Sequence, residues 1–214
     1  MPTTNDDEYF GGSADSDLPV DREELRREIQ LKYAEVADDP DGDFHFHTGR
    51  TIAERCGYDG TELDELPAEV VESFAGVADP FALRPVRPGE RVVDLGSGAG
   101  LDAILAARAA GPDGYVVGVD MTPEMLAKSR ANAAAAGTDN VEFCFGHLEE
   151  IPVADGWADV VISNGVINLC PDKAAVMAEI DRILRPGGVL QFADIANGAE
   201  VPEGARRHID LWTG

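Results

Sequence analysis

Gly96, Gly98 and Gly100 fall at alternate positions in RVVDLGSGAGLDAILAARAA, between an apolar run and a helical stretch. Small residues there let the backbone turn sharply and come close to a ligand, while the amino end of the following helix offers unpaired N–H groups. Twenty residues beyond Gly100 the next apolar run, VVGVD, ends in Asp120. A carboxylate at that point can accept hydrogen bonds from both hydroxyls of a ribose. The chemistry these features suit is the binding of a nucleoside-bearing cofactor. A dinucleotide fingerprint fits poorly, because Leu101 replaces the glycine or alanine of the sixth position and Asp94 places an acid two residues before the first glycine.

A second candidate stretch is VVISNGVINLCPDK, residues 160–173. Its strand ends in Asn164, at the carboxyl edge where open parallel sheets bind ligands, and an amide there can accept from a ligand ammonium or orient a nucleophile. Asn168, one helical turn later, reads as a cap or turn residue. Cys56, Cys144 and Cys170 are an odd number at wide spacing without a C-x-x-C pair, which argues against a disulfide framework and a zinc site and for reduced thiols. Cys144 reads as core. His45 and His47 alternate as in a strand with no third ligand in view, so no metal is expected and the pair reads as pocket-lining or a solvated loop.

The elements that must position these residues follow from periodicity. DREELRREIQLKYAEVA, residues 21–37, carries Leu25, Ile29, Tyr33 and Val36 at helical spacing. Shorter helices are expected over 51–56 and 61–74. After RPVRPGE the pattern changes to apolar runs of about five residues alternating with helical stretches: 92–95, 115–119, 141–145, 159–163 and 188–194. Such alternation predicts an α/β fold with a mostly parallel sheet and helices on both faces. At 214 residues and 44% hydrophobic, the chain can bury one good core with a small appendage. The expected organisation is a disordered acidic tail over 1–20, a helical lid or substrate-side segment over 21–87, and a cofactor-binding domain over 88–214.

Composition excludes other classes. Forty-one acids face 17 bases, a net charge of −24, and only Lys32, Lys128 and Lys173 are lysine. Such a surface repels phosphate backbones, so no nucleic-acid partner is expected. The charge suits a salt-rich cytoplasm, where screening tames the repulsion among acids, or else an acidic protein from an ordinary high-GC genome. No run approaches the roughly 18 apolar residues of a membrane span, and MPTTNDDEYF has acids where a signal peptide has bases, so a soluble cytoplasmic protein without a membrane partner is expected.

VVDLGSGAG, GVDMT and FCFGHLEEIPV, in that order, resemble the class I S-adenosylmethionine-dependent methyltransferases, over residues 88 to about 197. The resemblance implies a Rossmann-like fold with S-adenosylmethionine as cofactor. It assigns the methionine part to Asp94, Gly96, Ser97 and Gly98, the ribose to Asp120 with Met121, and the adenine to Leu148 and Glu149. His147 stands where many members have an aspartate. S-N-x-V-I-N-L followed by P-D-K, together with GVDMTPEML and VESFAGVADPF, resembles the arsenite methyltransferases. In that group cysteine thiolates hold a trivalent arsenic beside the methyl donor, and soft ligands suit such a centre. The group's cysteines fall here on Gly165 and Val77, neither of which can ligate arsenic, leaving Cys170 and Cys56 as candidate substrate ligands. Tyr33 resembles the tyrosine by which the group closes over the cofactor.

The resemblance implies a methyltransferase acting on a small-molecule acceptor. The alternatives are a non-catalytic S-adenosylmethionine-binding regulator and a nucleotide-dependent oxidoreductase. Methyl transfer is an in-line displacement that needs a base only if the acceptor arrives protonated, and no catalytic base is assigned. The family usually has seven strands and five are counted here, so C-terminal strands are expected to be missing. GARRHIDLWTG reads as a helix cut in mid-course. The open edge of the sheet would then be covered by a partner chain or a second copy.

Overall fold

The computed structural model describes residues 21–40, 42, 44, 46–196 and 198. The acidic tail over 1–20, His45 and the segment GARRHIDLWTG lie outside the described residues. Helices α1 (Arg22–Asp38), α2 (Arg50–Cys56), α3 (Gly60–Asp64) and α4 (Ala68–Glu72) come first. Strands and helices then alternate: β1 (Arg91–Leu95), α5 (Leu101–Ala110), β2 (Tyr115–Asp120), α6 (Pro123–Ala135), β3 (Val141–Phe145), β4 (Ala158–Asn164), α7 (Lys173–Ile183) and β5 (Leu184–Ala193).

The five strands form one parallel sheet in the order β3-β2-β1-β4-β5. β1 and β4 read as continuous apolar runs because both their faces are covered. On one face Val92, Val116, Val160 and Ile162 pack with α5 and α6. On the other, Val93, Val117 and Val161 pack with Val176, Ile180 and Ile183 of α7. Chain reversal between β1 and β4 puts the topological switch point at the carboxyl ends of these strands, where a crevice opens.

Two expectations about the elements are corrected. The helix expected over 61–74 is two helices, because Pro67 lacks the N–H that would continue α3 and instead precedes the first turn of α4. β5 begins at Leu184, not Gly188: Leu184 pairs with Ala158, and the residues before Val189 bulge out of the ladder.

The helices α2–α4 are no separate unit. Ala53, Tyr58, Leu63, Val70 and Phe74 share one buried cluster with Leu101, Ile104 and Val160. α1 packs on α6 and is tied down at two points: Gln30 Nε2 donates to the Met121 carbonyl at 2.7 Å, and Lys128 Nζ to the Ala37 carbonyl at 3.0 Å. Among the described residues β5 is paired on one side only, and Val189, Phe192 and Ile195 are exposed beside it. No helix among the described residues is long and apolar enough to cross a membrane.

Candidate functional site

Asp120 ends β2 and turns its carboxylate back on the glycine loop. Oδ2 accepts from the Gly98 N–H at 2.9 Å and Oδ1 from the Thr122 N–H at 2.8 Å, which fixes the rotamer and leaves each oxygen a lone pair. The loop after β3 turns tightly, Glu150 N–H donating to the His147 carbonyl at 3.0 Å, and the turn presents Leu148 and Glu149. α1 closes the other side with Arg26, Ile29 and Tyr33.

These segments enclose a cleft lined by Tyr33, Gly96, Gly98, Asp120, Met121, Leu148, Glu149 and Cys170. A second cavity adjoins it. Tyr33, Gly96, Gly98 and Val166 line both, and Asp94, Ser97, Gly76, Asp102 and Asn164 are among the others in the second. The structure thus gathers every residue that the sequence assigned to the cofactor into two joined cavities at the carboxyl edge of the sheet.

Among the described residues, several polar atoms in these walls lack a hydrogen-bond partner. Asp94 is buried, and its Oδ2, like Ser97 Oγ and Glu149 Oε1, has no hydrogen bond. Glu149 Oε1 lies 3.4 Å from Arg26 Nη2 without the alignment of one. Buried polar atoms of this kind cost free energy unless a ligand satisfies them. Tyr33 stacks on Phe46 at 5.9 Å, and burial, then the charges of Asp120 and Asp194, push its hydroxyl up to about 12.

Buried carboxylates dominate the electrostatics. Burial, then the neighbouring Asp102 and Asp120, raises Asp94 well above the ordinary range. Asp102 is raised by burial against the opposing hydrogen bonds of Tyr58 and Asn164, and Asp120 by burial against its backbone donors. An acid whose folded pKa is raised costs stability above that pKa, and the cost disappears as pH falls towards the unfolded value. The melting temperature is therefore expected to rise by a few degrees as pH falls from about 6, where Asp102 begins to take its proton, towards about pH 4. It then falls below about pH 4, where Glu90, Asp159 and Glu179, held low by their arginine partners despite any burial, lose their charge. A pH series of thermal melts decides it; a midpoint that only declines from pH 8 downward counts against a charged-acid cost in this site.

Gly96 offers a second measurement. Its φ is +69°, and a Cβ there would come within 2.5 Å of Val166 Cγ1. Gly96→Ala is expected to cost about 1–3 kcal/mol through backbone strain, and to displace Val166 within the cavities, so that ligand affinity falls more than stability alone requires.

The two candidate thiols do not meet. Cys170 belongs to the cluster on the α7 face, while Cys56 packs against the cluster on the α5 face. Cys170 is buried in the wall of the first cleft, its Sγ 3.7 Å from the Val166 carbonyl, and burial followed by the Glu149 charge pushes the thiol up to about 12. Cys56 borders neither cavity and its Sγ lies 3.6 Å from the Gly76 carbonyl. Cys144 is half-buried against the α7-face cluster. Asn168 sits in a 3-10 turn with its N–H on Asp194 Oδ2.

Asn164 has no free valence for a ligand. Its Oδ1 accepts from the N–H groups of Val77 and Ala78, and its Nδ2 donates to the Ala78 carbonyl and to Asp102 Oδ2. Tyr58, Asp102 and Gln30 were not found from the sequence; Asp102 stands in the first turn of the helix after the glycine loop, and that position was their one visible signal.

The sheet order, the glycine loop after β1 and the acid closing β2 define a class I methyltransferase fold. Residues 87–212 match the family described as a methyltransferase domain, and the chain belongs to that family. It is similar to an arsenite methyltransferase of Halobacterium salinarum, 41% identical over 208 residues that cover 91% of this chain and 53% of that protein. Among solved structures it resembles an arsenic(III) S-adenosylmethionine methyltransferase from Chlamydomonas reinhardtii, 35% identical with a TM-score of 0.58, covering 75% of this chain and 54% of that one. A phosphoethanolamine N-methyltransferase of Haemonchus contortus, 17% identical with a TM-score of 0.57 over 82% of this chain and 33% of that one, shares the fold. The chain spans about half or less of the length of the curated relatives it matches.

Proposed function

We propose that the chain carries the S-adenosylmethionine site of a methyltransferase of the arsenite-methyltransferase kind, acting in the cytoplasm on a small-molecule acceptor. The observation that carries this is the joined pair of cavities in which Asp120, the glycine loop, Leu148 and Glu149 converge beneath Tyr33. The residues fit the cofactor. Asp120 has lone pairs for ribose hydroxyls, Glu149 Oε1 is a buried acceptor at the end assigned to adenine, and Asp94 Oδ2 is one at the end assigned to the ammonium.

When bound, S-adenosylmethionine supplies a methyl group already activated on a sulfonium. The chain's own part is alignment and exclusion of water. α1 lays Ile29 and Tyr33 over the cleft, and Arg26 reaches the Glu149 side. Acids around the cavities favour a cationic ligand over a neutral one. Val77 and Gly165, the positions where the arsenite group has cysteines, face each other: a Cβ at Gly165 would lie 3.3 Å from Val77 Cγ1. An arsenic acceptor would therefore have to arrive carrying its own thiolates.

That same absence of thiols favours a second reading, a protein that binds the cofactor without transferring its methyl group. Calorimetry with S-adenosylmethionine, S-adenosylhomocysteine and NAD tests the shared part: the first two bind and NAD does not. A screen for S-adenosylhomocysteine release over arsenite premixed with a dithiol, free thiols and amines then separates the two. Release with none of them supports the silent reading.

A further inference from the structure

Three side chains from distant segments meet at the second cavity, which Asp102 and Asn164 line. Tyr58 follows α2, Asp102 stands in the first turn of α5 and Asn164 ends β4; Tyr58 and Asp102 are 5% and 7% exposed. The Tyr58 hydroxyl donates to Asp102 Oδ1, and Asn164 Nδ2 donates to Asp102 Oδ2 at 3.0 Å. The assembly then grips a backbone. Asn164 Oδ1 accepts from Val77 N–H at 2.8 Å and Ala78 N–H at 3.2 Å, while the Ala78 carbonyl receives Asn164 Nδ2 at 2.7 Å. The gripped segment also approaches the amide closely, since a Cβ on Gly76 would fall 2.4 Å from Asn164 Nδ2.

A four-way junction of this kind is more than a local turn. Without it the segment 76–78 has no other hydrogen bond to the sheet edge among those the described residues show for Val77 N–H and Ala78 N–H. Yet Gly76 of this segment lines the second cavity together with the glycine loop, and Val77 beside it lies against Gly165. The positions assigned to the cofactor, by contrast, are other residues: Asp94, the glycine loop, Asp120, Leu148 and Glu149.

We propose that Asp102 is a positioning residue, which through Tyr58 and Asn164 holds the 76–78 segment as the acceptor-side wall of the site. This rests on the methyl-transfer reading for its consequence, but not for its geometry. The role needs two acceptor atoms at fixed places or an arrangement that replaces them, and it does not need a charge. An asparagine at 102 can meet it: its oxygen accepts from Asn164, its amide donates to the Tyr58 oxygen, and the Tyr58 proton turns to the Ala78 carbonyl, 3.3 Å away.

The test compares Asp102→Ala, Asp102→Asn and Tyr58→Phe in the full chain. Amide hydrogen exchange at Val77 and Ala78 is read without ligand, S-adenosylmethionine affinity by calorimetry, and kcat and KM with arsenite premixed with dithiothreitol. Asp102→Ala is expected to speed exchange at both amides more than tenfold and to raise the acceptor KM at least tenfold. Cofactor affinity should change much less than the acceptor KM, because Asp102 neighbours Asp94 in the second cavity but is itself assigned no cofactor contact. Asp102→Asn should recover most of both effects. If Asp102→Ala fails to fold, Tyr58→Phe gives the same reading in a milder form, with accelerated exchange confined to 76–78. Unchanged exchange in Asp102→Ala or Tyr58→Phe overturns the proposal, as does Asp102→Asn behaving like Asp102→Ala, or cofactor affinity falling in step with turnover. A wild-type chain with no turnover of this acceptor removes the methyl-transfer reading for it, and the exchange data still decide whether the clamp exists.

Discussion

Asp120→Ala is expected to weaken S-adenosylmethionine binding by about 100-fold or more, which corresponds to about 2.7 kcal/mol. The expectation comes from what its two oxygens do. Each already accepts one backbone N–H, from Gly98 and Thr122, and each has one lone pair left for a hydroxyl. A hydrogen bond to a charged group contributes about 1.5–3 kcal/mol, so two ribose contacts account for the loss even after water takes part of their place. The backbone bonds add a second route, since without them the glycine loop is less well held before the ligand arrives. Asp120→Asn keeps one acceptor and is expected to lose about tenfold, half of the alanine effect on a logarithmic scale. Calorimetry on both variants checks this, with circular dichroism to show that the fold persists. An alanine variant that binds within threefold of the wild type would mean that Asp120 only braces the loop.

The parts of this site that the sequence shows are those built from neighbours. The glycine loop, Asp120 with Met121, and the Leu148–Glu149 turn each lie within a few residues at the end of one strand. A parallel sheet brings strand ends together by its topology, so local motifs in the right order suffice to place them. What escapes notice depends on pairing across the chain. Asn164 shows as a polar residue at a strand end, and nothing near it reveals that its amide is consumed by Tyr58 and Asp102, 106 and 62 residues away. Likewise Cys56 and Cys170 look like two candidates for one site until the sheet places them on opposite faces. Helix α1 is legible from its spacing of Leu25, Ile29, Tyr33 and Val36. Its anchors are not, because Gln30 and Lys128 bond to carbonyls 91 residues away in the chain.

The double variant Val77→Cys, Gly165→Cys is expected to bind arsenite stoichiometrically where the wild-type chain does not, with affinity at least about 100-fold above either single variant. Trivalent arsenic is thiophilic and takes soft thiolate ligands, and the distance between the two positions is already short. A Cβ built at Gly165 approaches Val77 Cγ1 to 3.3 Å and Cγ2 to 3.7 Å, so two cysteine sulfurs there can share one centre. Cys56 lies close by, its Sγ 3.6 Å from the carbonyl of the residue before Val77, and can supply a third thiolate. Strain opposes the change. Gly165 has φ +78°, and a residue with a Cβ in that region costs about 1–2 kcal/mol, which should appear as a lowered melting temperature in both variants that carry it. Two thiolates on one arsenic bind much more tightly than one because the second ligand is held at high effective concentration, so the gain belongs to the pair. Mass measurement under native, reducing conditions gives the stoichiometry, and removal of Cys56 from the double variant shows whether the third thiol takes part. If the double variant takes up no more arsenite than the wild type, Val77 and Gly165 are not the wall of an acceptor site, and the arsenite-like reading loses its geometric support. If it binds, the architecture for a thiol-held acceptor is intact in this chain and only the ligand atoms are missing from it.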